Sequence, residues 1–374
     1  MLVDGLDNLQ GRCRMDTAVE FVLKKALDGE PLTRGDLVRL LRPLDADRPL
    51  IRAAARQMRR QWTGDLIFTY GFVYLSTWCR NDCRFCAYRR TNEKALRYRK
   101  SLAEVVEASK LLADSGVNLI DLTMGEDPAT DDPGYIDEMA LMIQRVKEAT
   151  DLPVMISPGT VSEAALQKFR AAGADWYACY QETHNPELFA RLRQGQSYEV
   201  RLQSKLAAVA AGLQVEEGAL CGVGETDEDL ADSILAMREL KAGQARAMGF
   251  VPPAEAESEG GGRWVSSPEP GAAQAREIDF IAALRLALPQ ALIPASLDVE
   301  GLAGLKIRLE AGANVITSLV PADLNLAGVA QASLDINNQA RSVQGVRPVV
   351  EECGLKLASP DQYKGWLAEG AVRS

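Results

Sequence analysis

From Ile67 to Leu319 the chain alternates short apolar runs with longer stretches whose apolar residues recur every three or four positions. The short runs are Ile67 to Ser76, Leu119 to Met124, Val154 to Ser157, Trp176 to Tyr180, Glu217 to Cys221, Ala245 to Val251, Ile293 to Leu297 and Val315 to Leu319. Their length and bounding turn residues are those of buried strands. Between them, Leu102 to Asp114, Tyr135 to Glu148, Val161 to Ala171, Tyr198 to Ala211, Asp227 to Leu240, Ala272 to Ala287 and Glu300 to Ala311 read as amphipathic helices. Strands that alternate with helices make a parallel sheet, and eight such units predict an α/β fold closed into a (β/α)8 TIM-type barrel. An open doubly wound sheet carries the same alternation, so closure rests on the number of units.

Ahead of the repeat the pattern is helical. Thr33 is placed to cap a helix whose Leu37, Leu40 and Leu41 share one face. Residues 1–62 are therefore expected to form an N-terminal helical extension covering one end of the barrel, and residues 63–374 the barrel with a C-terminal helical tail. Pro252 to Gly271, rich in Pro, Glu, Ser and Gly, interrupts the rhythm. A loop of that length is either a solvated insertion or a lid over the barrel mouth.

Charge narrows the partners. With 52 acidic against 42 basic side chains in 374 residues and a formal net charge of -10, neither nucleic acid nor an anionic membrane surface is expected, and a small molecule is. No apolar run reaches the ~18 residues of a membrane helix, and the first residues lack a signal-peptide pattern, so a cytoplasmic protein is expected. Cys13, Cys179, Cys221 and Cys353 are scattered and read as small hydrophobes of a reducing compartment.

Three other cysteines are not scattered. Cys79, Cys83 and Cys86 form a CxxxCxxC directly after the first predicted strand. Three thiolates in eight residues can hold three corners of a cubane iron–sulfur cluster and leave the fourth iron open for chemistry. Structural zinc wants four nitrogen or sulfur ligands, and the one histidine, His184, lies far along the chain. A fourth ligand elsewhere would instead make this a non-catalytic metal-binding protein.

With Phe85 before its third cysteine, the trio resembles that of the radical S-adenosylmethionine enzymes. The resemblance implies a 4Fe–4S cluster on Cys79, Cys83 and Cys86, with S-adenosylmethionine on the open iron as the source of a 5′-deoxyadenosyl radical. It also implies an electron donor such as flavodoxin or ferredoxin, and a full or partial barrel with the cluster loop after its first strand. Gly125-Glu126 resembles the family's Gly-Gly-Glu element, with Met124 in place of the first glycine. Glu182 and Arg201 resemble the pair that holds the ends of S-adenosylmethionine in the subgroup containing biotin synthase and a hydrogenase maturase, with Ser157 a third candidate. Gly218 and Gly222 to Glu225 resemble the turn that supports the adenine.

Substrate residues are sought at the carboxyl ends of the strands, where barrel enzymes build their sites. Asp121 shares a strand face with Thr123, and Ser296 shares one with Asp298. With Arg246 in the sixth strand, these residues suit an amino acid: acids for ammonium groups, guanidinium and hydroxyl for a carboxylate. The same groups could equally tie the barrel together as an internal polar network. The stretches Tyr70 to Cys79 and Leu122 to Pro128, with Ser296 and Asp298, resemble the lysine-isomerising members of the subgroup, which serve pyrrolysine biosynthesis. That resemblance implies a carbon-skeleton isomerisation of L-lysine to (3R)-3-methyl-D-ornithine. A biotin synthase needs ligands for a second cluster, and only Cys179 and Cys221 lie on predicted strands; a maturase-like activity is the nearer alternative.

Overall fold

The computed structural model describes residues 16–252, 269, 271–298, 300–321 and 340–373. Cys13 and residues 253–268 of the long loop lie outside them. Among the described residues, eight strands run parallel: β1 Leu66–Ser76, β2 Leu119–Met124, β3 Val154–Ser157, β4 Trp176–Ala178, β5 Gln214–Cys221, β6 Gln244–Gly249, β7 Pro294–Ser296 and β8 Val315–Leu319. Each pairs with its sequence neighbour, and β1 also pairs with β8. Between β6 and β7 the ring closes through one bridge, with Ala245 N–H on Leu292 O and Leu292 N–H on Gly243 O, both at 2.9 Å. This is the (β/α)8 TIM-type barrel that the repeat predicted.

β4 is shorter than its apolar run because the chain turns sharply after Tyr180. Glu182 has a φ of 69°, and it rejoins the sheet as an isolated bridge to Ala219. A non-glycine residue in the left-handed region costs of order 1–3 kcal/mol and marks a place where the surroundings dictate the backbone. A two-residue strand, β9 Lys356–Leu357, that the pattern did not show pairs with the start of β1.

The strands are buried on both sides, as a helix-covered parallel sheet must be. Along β1, Phe68, Tyr70, Phe72 and Tyr74 face the barrel interior, while Ile67, Val73 and Leu75 pack under the helices. At Gly71 a Cβ would lie 2.5 Å from Leu112 of helix α4 (Leu102–Ser115), so the helix seats only because that residue lacks a side chain.

Helices α1 (Thr17–Leu27), α2 (Arg34–Leu41) and α3 (Arg48–Thr63) precede the barrel. Thr33 caps α2 in a capping box with Asp36, as expected. The three lie against the outer helical layer, with α2 on α9 (Asp227–Glu239) and α3 on α10 (Ala272–Ala287). The outer layer between them includes α5 (Pro133–Thr150), α6 (Glu163–Ala171), α7 (Pro186–Leu192), α8 (Tyr198–Ala210) and α11 (Leu305–Glu310). The amino-terminal end of the barrel is filled by other residues. Following α12 (Val343–Glu352), helix α13 (Pro360–Arg373) places Tyr363 against Phe68, with centroids 5.2 Å apart, and stacks Trp366 on Trp176 at 6.4 Å. At the opposite, carboxyl-terminal end the described residues line a cavity. No helix among the described residues is long and apolar enough to cross a membrane.

Candidate active site

The loop after β1 is held by side chains of the protein itself. Ser76 Oγ donates to Asp127 at 2.6 Å, and Arg99 forks onto the same carboxylate at 2.7 and 2.8 Å. Arg97 gathers the carbonyls of Thr77, Tyr88, Arg89 and Asn92, so one guanidinium closes the loop on itself. Gly125, at the end of β2, lets this loop approach. A Cβ there would sit 2.4 Å from Trp78 O and 2.9 Å from Cys79 Cβ.

Cys79, Cys83 and Cys86 line one cavity of ≈ 270 Å³ at the carboxyl-terminal end of the barrel. Burial, then the neighbouring Cys83 and Cys79, pushes the Cys86 thiol up to about 12; burial also raises Cys79. A cation bound between the three sulfurs would stabilise them as thiolates. Cys83 already faces donors, with Gln196 Nε2 at 3.1 Å and Arg193 Nη1 at 3.4 Å from its sulfur. This donor set fits three corners of an iron–sulfur cluster.

Beside the trio stand two ion pairs. Arg201 binds Glu126 and donates through Nε to Tyr180 O at 2.7 Å. Arg193 binds Glu182 at 3.0 Å and donates to the same carbonyl at 3.0 Å. Burial pushes Glu126 up, but Arg201, Asn81 and Arg193 together hold it below the usual carboxylate range; burial raises Glu182. Gly159 (φ 76°) packs on Glu126, where a Cβ would meet Cγ at 1.8 Å. The structure thus brings Phe85, Gly125, Glu126, Ser157, Glu182 and Arg201 to one cavity wall. It gives Glu182 the partner Arg193, which the sequence reading missed although Arg193 and Gln196 stand only a few residues before Arg201.

Deeper in the barrel, the expected substrate residues divide. Asp121 accepts from Ser157 Oγ at 2.8 Å and has no ion-pair partner among the described residues; burial, then nearby Glu216, raises it to about 7. Arg246 binds Glu216 at 2.7 Å, donates to Thr317 Oγ1 at 3.2 Å and to Tyr70 OH, and lies over the Tyr70 and Tyr180 rings. Asp298 binds Arg341 at 2.8 Å and accepts from Ser318 Oγ at 2.6 Å. Asp121, Arg246 and Asp298 line the cavity; Ser296 stands behind, its hydroxyl accepting from Asp298 N–H at 3.2 Å. Glu216, Tyr70 and Arg341 were not singled out from the sequence. For Glu216 the period-two pattern of β5 offered a signal, since it places that acid on the inner face.

Gly218 leaves room for Tyr180, whose ring would lie 3.1 Å from a Cβ there, and the Gly222 to Glu225 turn is closed by Glu225 and tied to Arg276. His184 has a side chain only 5% exposed, 3.7 Å from Glu217. Lys205 also binds Glu217, and that carboxylate, held down to about 2 against its burial by Lys205 and His184, accepts the Gln181 N–H at 2.7 Å. A buried cluster outside the barrel wall therefore fixes the turn that carries Glu182.

A parallel barrel with three thiols over an ion-paired cavity at its carboxyl end is the architecture of a radical S-adenosylmethionine enzyme. The model of the radical SAM superfamily matches residues 73–237. A 3-methylornithine synthase of Methanosarcina barkeri is 39% identical over 349 residues, covering 92% of this chain and 95% of that protein. A crystal structure of methylornithine synthase superposes with a TM-score of 0.83 at 37% identity, covering 92% of this chain and 99% of that one. The [FeFe] hydrogenase maturase subunit HydE of Thermotoga maritima is 30% identical over 271 residues, 70% of this chain and 72% of that protein. The chain belongs to the radical SAM superfamily and, within it, to the family of the 3-methylornithine synthases.

Proposed function

We propose that the chain is a radical S-adenosylmethionine mutase that converts L-lysine into (3R)-3-methyl-D-ornithine for pyrrolysine biosynthesis. The observation that carries this reading is the charge left over at the deep end of the cavity. Among the described residues, Asp121, Glu216 and Asp298 face Arg246 and Arg341, with Glu216 paired to Arg246 and Asp298 to Arg341. Asp121 remains, a buried carboxylate whose ionisation is costly until a cation arrives. L-Lysine, with two ammonium groups and one carboxylate, carries the complementary single positive charge. A maturase-like substrate without a second amine would leave Asp121 unpaired.

Cys79, Cys83 and Cys86 would hold the 4Fe–4S cluster, and Phe85, Gly125, Glu126, Ser157, Glu182 and Arg201 would hold S-adenosylmethionine beside it. Bound together, these groups would supply a 5′-deoxyadenosyl radical able to take hydrogen from an unactivated carbon. The chain's own part is position. Asp121 would take one ammonium group and Asp298, fixed by Arg341 and by the hydroxyls of Ser318 and Ser296, the other; Arg246 would take the carboxylate. A substrate held at both ends exposes one carbon among several similar ones. Phe72, Tyr74, Tyr180 and Phe250 on the cavity wall exclude water and strengthen those charge contacts. A flavodoxin- or ferredoxin-type donor and a cytoplasmic setting belong to the same reading.

The test is anaerobic reconstitution with iron and sulfide, reduction, and incubation with L-lysine and S-adenosylmethionine. Product is read by mass and chiral chromatography, and deuterium from labelled lysine is sought in 5′-deoxyadenosine. A loaded, reduced enzyme that forms no methylornithine and moves no label overturns the substrate assignment.

A further inference from the structure

We infer that Gln196, together with Arg193, sets the reduction potential of the cluster through the sulfur of Cys83. The inference rests on the cluster reading above and adds two positioning residues to it.

Gln196 sits in the turn between α7 and α8, directly after Gly195, whose φ of 77° lets the chain reverse there. Its N–H is held on Arg193 O at 3.1 Å. The orientation of its amide is decided by its neighbours: Oε1 accepts from Arg193 Nη1 and Arg201 Nη1, each at 3.4 Å. With the acceptor end committed to two guanidinium groups, the donor end must face the other way, and there Nε2 meets Cys83 Sγ at 3.1 Å. Arg193 adds a second donor to the same sulfur at 3.4 Å. Its own place is fixed by Glu182, Tyr180 O and the Phe85 ring, 5.1 Å beneath the guanidinium.

The three sulfurs are thereby unequal. Cys79 and Cys86 meet backbone donors, of Asn81 and Tyr88, whereas Cys83 meets two side chains that evolution can change without moving the loop. Donors aimed at a ligating sulfur favour the form of the cluster with more negative charge, which is the reduced form. Removing one should make reduction harder. Neither residue would touch iron, so loading should not depend on them.

The experiment compares wild-type protein with Gln196→Ala and the near-isosteric Gln196→Glu, reconstituted anaerobically without S-adenosylmethionine. Iron and sulfide per chain are measured first, then the midpoint potential by a titration followed by electron paramagnetic resonance. Both variants should load as the wild type does. The reduction equilibrium should fall on the order of tenfold in Gln196→Ala, ~59 mV for a one-electron couple, and further in Gln196→Glu, which places an anion beside the sulfur. Wild-type potentials in both loaded variants overturn the inference. So does failure of both to load beside a loaded wild type, since that would make Gln196 a structural support of the loop. A wild type that takes up no iron and sulfide overturns the cluster reading itself and is told apart at the first measurement.

Discussion

At the mouth of the cavity most polar side chains ride on loops, the cysteine loop after β1, Glu126 after β2, Glu182 after β4 and the Arg193 to Gln196 turn, with Arg201 on α8 just beyond. Their acids and arginines pair off evenly, Glu126 with Arg201 and Glu182 with Arg193, and what they leave over are sulfurs. At the deep end four of the polar groups project from the strands themselves, Tyr70 on β1, Asp121 on β2, Glu216 on β5 and Arg246 on β6, while Asp298 follows β7 and pairs with Arg341, and the surplus is one carboxylate. Loops can hold a large cofactor because their backbone carbonyls and N–H groups are free to meet it. Strands hold a small substrate more rigidly, but every charge on them is also part of the barrel's own core. The difference teaches that a substitution at the mouth should cost a ligand, whereas one at the deep end should cost stability as well.

The sharpest break of that contrast is at the cysteines. Cys79→Ala, Cys83→Ala and Cys86→Ala should each abolish cluster loading, measured as iron and sulfide per chain, and leave the melting temperature of the unloaded protein near that of the wild type. Cys353→Ala should load fully. At the deep end Glu216→Gln should behave in the opposite way. It breaks the buried pair with the Arg246 guanidinium, 3% exposed, and should lower stability by about 3–5 kcal/mol in chemical denaturation, because one partner of a buried ion pair is removed.

Asp121→Asn separates the two costs. Folding raises the Asp121 carboxyl from 3.8 to about 7, so its protonated form is favoured in the barrel. The stability it contributes is complete below pH 3.8 and is lost as pH rises through about 7, on the order of 4 kcal/mol at most. The Asn variant should therefore be more stable than the wild type at pH 8, with a flatter stability profile between pH 4 and 7. It should also bind lysine more weakly by about 2–5 kcal/mol, the penalty of losing one desolvated charge partner. Wild-type lysine affinity should rise with pH through the same interval, as calorimetry at several pH values would show. The smallest effect is expected at Arg201→Ala: affinity for S-adenosylmethionine should fall by about 1.5–3 kcal/mol, one charge-assisted contact, with iron content unchanged. Equilibrium dialysis against the loaded protein decides it.

What the chain determined by itself is whatever its neighbours in sequence can specify. The CxxxCxxC spacing puts three thiols in one turn, the recurrence of apolar positions fixes eight strands and most of the helices, and Thr33 with Asp36 starts α2 without help from any distant residue. Glu126 and Glu182 follow the carboxyl ends of β2 and β4, where residues of parallel strands converge, but they and Arg201 on α8 were picked out by resemblance to the family. Partnerships across the ring were not legible. Arg246 meets Tyr70 from 176 residues away and Asp298 meets Arg341 across 43, because strand registers and a closing bridge at Gln244 bring them together. Glu182 turns on a left-handed φ imposed by a ladder to Ala219, His184 is drawn inward by Glu217, and Trp366 plugs a barrel it follows by the length of the whole repeat. Periodicity is a local property of a chain, and so it can be read along it. The pairing of buried charges is a property of distance in space, and only the closed barrel sets those distances.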